Sequence, residues 1–175
     1  MNRISPKRKA SAKLMYNSTF ASKTTAKKPA DKTAKPKVVR DRGYWKRQAD
    51  KWFSEFIRLR DSDANGRVKC ATCSHTNHWR QLQNGHWITR GHDTTRYDEE
   101  NCNTLCRGCN YNGGQHLKHA AAIEAKYGAG TCERLERKAK MSAKRTLSDY
   151  RFLAETYKAR VMRIKETEPG RYATI

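Results

Sequence analysis

Two cysteine pairs, Cys70-x-x-Cys73 and Cys106-x-x-Cys109, constrain this chain most. Four thiolates at such spacing can close one tetrahedral zinc site and clamp two distant segments together. Residues 74–105 lie between the pairs, where a plain zinc ribbon has roughly 15–20. The excess leaves room for a hairpin with its own chemistry. That stretch holds a Gly85-His86 step, then His92, Asp93, Asp98, Glu99, Glu100 and Asn101. The second pair runs directly into Asn110, with His116 and His119 beyond it. Hydrophobic content is 36%, so the core must be small. Zinc ligation in short motifs is worth on the order of 10–16 kcal/mol, which becomes folding free energy where the core is small.

The six cysteines do not read as a disulfide framework. Four sit in CxxC pairs, and the chain starts without an apolar leader segment. No run approaches the roughly 20 apolar residues of a membrane span. A reducing cytoplasm is expected, where thiols bind metal rather than one another. Cys102 and Cys132 remain, and Cys102 reads as a buried, unligated thiol.

Lys and Arg number 38 against 17 Asp and Glu, a formal charge of +21. An excess of that size points to a polyanion, and nucleic acid is the expected partner. Residues 1–40 hold twelve Lys/Arg and one acid, Asp31, with no apolar periodicity. They read as a disordered basic arm that attracts phosphate without sequence preference.

From Tyr44 to Arg60, the residues Trp45, Ala49, Trp52, Phe53, Phe56 and Ile57 recur at three- and four-residue steps, which predicts an amphipathic helix. Asp61 to Gly66 reads as a stop and turn. Val68 to Cys73 fits a strand entering the first knuckle. Trp79 to Thr89 is expected to form a hairpin with His86 near a strand start, followed by a loop at Arg90 to Asp93. Gln115 to Tyr127 predicts a helix ended by Gly128, and Thr131 is placed as the N-cap of a helix through Lys140. Leu147, Tyr150, Ala154, Tyr157, Val161 and Ile164 form a helix-packing seam. It folds back on the Trp45–Ile57 face or pairs with a second subunit. The segmentation is therefore an arm over 1–40, a helix over 41–66, a core over 67–128 and helices over 129–175.

Metal-dependent phosphodiester cleavage needs few parts: one or two ligands to hold an ion at the phosphate, a base for water, and cations nearby. A histidine suits the base at neutral pH, and an asparagine carbonyl is a hard ligand for Mg²⁺. His86 and Asn110 are the candidates. Each also has a plain structural reading: His86 as a strand histidine bonded to a backbone carbonyl, Asn110 as a helix cap.

The run Cys-x-x-Cys, Gly-His, Asn-x-x-x-Leu-Cys-x-x-Cys-Asn resembles the His-Asn-His (HNH, ββα-metal) endonucleases braced by four cysteines. Residues 44–127 look more closely like the phage NinG (Rap) recombination proteins. They share the Tyr44-Trp45 start, Arg58-x-Arg60-Asp61, the Gly-His step, the stretch Arg96 to Asn101 and the Cys-x-x-Cys-Asn ending. The second knuckle also resembles that of endonuclease VII, which cuts branched DNA.

The resemblance implies an α+β fold with a zinc-braced ββα-metal core, flanked by helices and preceded by the basic arm. It implies that Cys70, Cys73, Cys106 and Cys109 bind structural Zn²⁺, that His86 is the general base and that Asn110 binds the catalytic ion, Mg²⁺ or another divalent metal. Asn101 would hold the loop and orient the histidine. Many relatives place Asp before that histidine, where this chain has Gly85, so the other ligands are open. His116 and Asp93 rank first among His92, Asp93, Asp98, Glu99 and His116. The implied activity is DNA endonuclease cleavage of branched recombination intermediates such as Holliday junctions, in the cytoplasm of a phage's bacterial host. A two-fold symmetric junction would suit a homodimer. The rival expectation is a non-catalytic zinc module that binds DNA or RNA. In both cases binding should weaken steeply with salt.

Overall fold

A computed structural model describes residues 40–111 and 115–173. Except for Arg40, the expected basic arm lies outside the described residues. The first helix, α1 (Arg42–Arg60), begins where the Asp41 carboxylate accepts from the Tyr44 N–H at 2.6 Å. Ala49, Phe53, Phe56 and Ile57 are buried on one face, as their spacing predicts.

That face is covered by α5 (Leu147–Thr167), whose Tyr150, Ala154, Tyr157 and Val161 are buried. The seam is thus used inside the chain, as the first of its two expected roles has it. A capping box between Thr146 and Asp149 starts α5, satisfying helix-end N–H groups that would otherwise be orphaned. Phe53 packs edge-on against Tyr97 and Tyr157 at centroid distances of 5.6 and 4.9 Å. Removing a ring of this kind from a core costs about 3–5 kcal/mol.

Two small antiparallel sheets lie against this helix pair. Strands β1 (Arg67–Lys69) and β2 (Thr76–His78) pair with Arg67 opposite His78, and the turn between them carries the first cysteine pair. The entry turn needs Gly66, which has φ +73°. A Cβ there would lie 2.6 Å from the Arg171 carbonyl oxygen. Strands β3 (Gln83–His86) and β4 (Cys102–Leu105) pair with His86 opposite Cys102. The second knuckle opens α2 (Arg107–Tyr111), followed by α3 (His116–Tyr127), α4 (Thr131–Lys140) and, after α5, α6 (Pro169–Tyr172).

The hairpin differs from expectation. Trp79–Gln81 is a 3₁₀ turn, and β3 finds its partner across residues 87–101, so His86 closes its strand instead of opening one. Burial of the Trp79 ring, with its indole N–H donating to the Arg171 carbonyl at 3.0 Å, takes that residue out of any ladder. Thr131 is the first residue of α4, with Gly130 at the cap. A second, smaller core of Trp87, Ile123 and Leu135 joins the loop to α3 and α4.

Arg60 and Asp61 of the Arg58-x-Arg60-Asp61 motif are structural. Arg60 donates to the carbonyls of Glu99 and Cys102, at 2.9 and 2.8 Å. Asp61 accepts from the Thr104 N–H and hydroxyl, both at 3.0 Å, and from Lys126 at 2.7 Å. Opposing charges and backbone groups therefore fasten β4 and α3 to the end of α1.

Candidate metal centre and the adjoining cleft

The sulfurs of Cys70, Cys73, Cys106 and Cys109 all lie within 4.8 Å of one another, and Cys73 Sγ is 3.9 Å from Cys106 Sγ. Zinc–sulfur bonds of about 2.3 Å in a tetrahedron place sulfurs at nearly that separation, so the residues fit a zinc ion. The Cys106 N–H points at Cys70 Sγ, 3.2 Å away. Burial acts to raise the Cys70 thiol, but hydrogen bonds from Thr72 and Cys106 outweigh it and hold its pKa at about 6, which favours the ligating thiolate. Cys102 lies apart from this group, fully buried in the main core, where burial pushes its thiol far up.

The residue before His86 is glycine for a visible reason. A Cβ on Gly85 would meet Leu105 Cδ1 at 2.3 Å and Asn110 Oδ1 at 3.1 Å. The Leu105 side chain fills the place an acidic ligand would need.

His86 points its Nε2 at the Arg96 carbonyl oxygen, 2.9 Å away. The carbonyl can only accept, so Nε2 carries the proton and Nδ1 the lone pair. Nδ1 faces the Arg90 Nε–H at 3.4 Å. Burial outweighs the Arg96 bond and holds the imidazole pKa down at about 4, so the ring is neutral near pH 7.

The loop that carries Arg96 is held from both ends by Asn101, whose side chain is fully buried. Its Oδ1 accepts from the Ile88 N–H at 2.8 Å, and its Nδ2 donates to the carbonyls of Ile88 and Thr95 at 2.9 and 3.1 Å. Asp50 on α1 adds an anchor, accepting from both arms of Arg96 and from the Tyr97 hydroxyl. Asn101 therefore fixes the loop whose Arg96 carbonyl meets His86.

His86 and Asn110 line one cleft of about 250 Å³, together with Trp87, Gln115, His116 and His119. Asn110 lies within α2 and not at a cap. Its Nδ2 donates to Gln83 Oε1 at 2.7 Å, which leaves Oδ1 without a partner among the described residues. His116 is at the cleft, stacked on Trp87 at a centroid distance of 5.1 Å. Asp93 is not: the Tyr150 hydroxyl donates to its carboxylate and Arg145 to its carbonyl. His92, Asp98 and Glu99 are likewise engaged with Ala139, Lys138 and Tyr157.

Sequence reading takes His119 as solvated or phosphate-facing; in the structure it is instead 4% exposed, with an Nε2 that has no partner among the described residues. Burial holds its pKa down at about 4. The available signal was its position one turn before Ile123, on the buried face of α3.

Fold and site together define a mixed α+β protein of small antiparallel sheets and six helices among the described residues, with a four-cysteine knuckle able to hold zinc. The family model described as Bacteriophage Lambda NinG protein matches residues 3–168, and the chain belongs to the NinG family. No curated protein and no solved structure matches it significantly. No helix of the described residues is long and apolar enough to cross a membrane.

Proposed function

We propose that this NinG-family protein is a zinc-braced, divalent-metal-dependent DNA endonuclease of the HNH type, acting on branched DNA such as Holliday junctions. The observation that carries the reading is that His86, with its proton committed to Arg96, and Asn110, with its amide committed to Gln83, line one cleft. β3, the Asn101-held loop, β4 and α2 give the order strand, strand, helix expected of a ββα-metal core. The branched substrate is inferred from the family resemblance.

In this reading His86 Nδ1 takes the proton of the attacking water, and the Arg96 carbonyl steadies the imidazolium that forms. Burial keeps the ring neutral at neutral pH, and the exposed Arg90 side chain, whose Nε–H faces Nδ1, would turn away to admit the water. Asn110 Oδ1, with His116 or His119, would hold the divalent ion, which offsets charge on the phosphate. Among the described residues, only the four cysteines form a close group of three or more His, Cys, Asp or Glu donors. That pattern suits Mg²⁺, which is commonly held by one or two protein groups plus substrate phosphate and water.

The test is zinc-loaded protein incubated with Mg²⁺ on a four-way junction and a linear duplex. The proposal expects cleavage of the junction, and His86→Ala that binds but does not cut. Binding without any cleavage by the wild type would instead make the protein a non-catalytic zinc-structured binder.

A further inference from the structure

We propose that a polar hollow next to the His86–Asn110 cleft binds one phosphodiester of an unpaired nucleotide, with Arg58, Arg90 and Asn84 around the phosphate and Tyr111 against the base. The proposal rests on the nucleic-acid reading above and extends it to a particular subsite. The hollow has a volume of about 320 Å³ and shares Asn110 with the cleft, so a strand passing His86 would continue into it.

Its charge is one-sided. Arg58 and Arg90 both line it, no acidic residue does so among the described residues, and neither guanidinium has a carboxylate partner there. Arg58 spends Nε on the Ser54 carbonyl and one terminal nitrogen on the carbonyls of Trp79 and Leu82, which fixes its plane and leaves the other terminal nitrogen without a hydrogen-bond partner among the described residues. Arg90 is exposed, and its Nε sits 3.4 Å from His86 Nδ1, between hollow and cleft.

Asn84 gives the independent observation. It is 3% exposed and lines the hollow, its side chain lies beside the Cys102 thiol, and neither its Nδ2 nor its Oδ1 has a nitrogen or oxygen partner among the described residues. A buried carboxamide with only a thiol beside it is poorly satisfied, and a turn of Nδ2 toward a phosphate oxygen in the hollow would remove part of that cost. At the rim Tyr111 is 70% exposed, an aromatic face open to a base. Cations around a phosphate and an exposed ring beside it are the elements by which proteins hold unpaired strands. A fully paired duplex keeps its bases stacked and cannot offer one to Tyr111.

The experiment uses the full-length, zinc-loaded wild-type chain without added magnesium, so that binding is read apart from cleavage. The probes are a fluorescent duplex with a short single-stranded thymidine gap and the same duplex without it. Tyr111→Ala should weaken binding to the gapped probe about tenfold or more and leave the intact duplex unchanged. Arg90→Ala should lower the slope of log affinity against log salt on the gapped probe by about 0.7–1, one phosphate contact. Both side chains are exposed, so the fold should tolerate either change. Wild-type binding of the gapped probe by both variants would overturn the proposal, as would an equal loss on both probes for Tyr111→Ala. These outcomes are independent of nuclease activity: a chain that never cuts DNA can still show the subsite, and an active nuclease can lack it.

Discussion

The Nε2–H of His86 donates to the carbonyl oxygen of Arg96 at 2.9 Å, and this one bond sets which imidazole nitrogen can act as a base. Arg96 in turn is held by Asp50 on α1, at 2.7 and 2.9 Å. The state of the histidine is thus determined by a helix that begins more than forty residues earlier.

Asn101 should be the residue on which that arrangement depends. Asn101→Ala leaves the Ile88 N–H and two carbonyls unpaired in a buried position, and unsatisfied groups cost about 1–3 kcal/mol each. The expected loss is about 3 kcal/mol or more in urea denaturation, with faster amide exchange confined to residues 87–101. A loss of cleavage with unchanged stability would assign Asn101 a direct chemical role instead.

Gly85 and Leu105 should be coupled. Gly85→Asp forces its Cβ against Leu105 Cδ1 and should destabilise the chain by about 1–3 kcal/mol, the usual cost of overpacking. Leu105→Ala in the same chain should recover part of that loss. Denaturation of the four members of this double-mutant cycle measures the coupling, and simple additivity would deny it.

Chelation should unfold the knuckle. Removing zinc from Cys70, Cys73, Cys106 and Cys109 is expected to abolish cooperative thermal unfolding, since metal binding in such motifs is folding free energy. A thiol-displacement assay should release one zinc per chain, and Cys102→Ala should leave that stoichiometry unchanged. A ratio of zero for the purified wild type would contradict the assignment.

Acid should weaken the fold through two histidines. His86 and His119 sit at about 4 in the folded chain, below the ordinary value of about 6.5 for an unfolded chain. The unfolded state therefore binds more protons between those values. Their contribution is fully present above about pH 6.5 and is lost as pH falls toward 4. Tm measured at pH 7 and pH 5 should drop less for His119→Leu than for the wild type. An identical drop would mean that His119 is not held neutral by burial.

Much of this was legible in the sequence because it is local. The CxxC pairs announce their own geometry, and the faces of α1 and α5 follow from three- and four-residue spacing alone. The hairpin was not legible, because the partner of β3 is chosen by distant contacts: Asp61 holding Thr104 of β4, Asn101 across the loop, and Trp79 drawn into the core. Asp93 looked like a ligand in a histidine-rich stretch, but Tyr150 and Arg145, far along the chain, take both its polar ends. His119 was hidden for the converse reason: polar character suggested solvent, and only the period of α3 showed that it faces inward.

The central claim is that His86 supplies the base. Its most direct test is the single-turnover cleavage rate of His86→Ala on prebound four-way junction with Mg²⁺, beside the wild type. The account predicts a rate lower by about 10²–10⁴-fold, the usual share of general-base catalysis, with junction affinity unchanged. Cleavage by His86→Ala within a few-fold of the wild-type rate would contradict it.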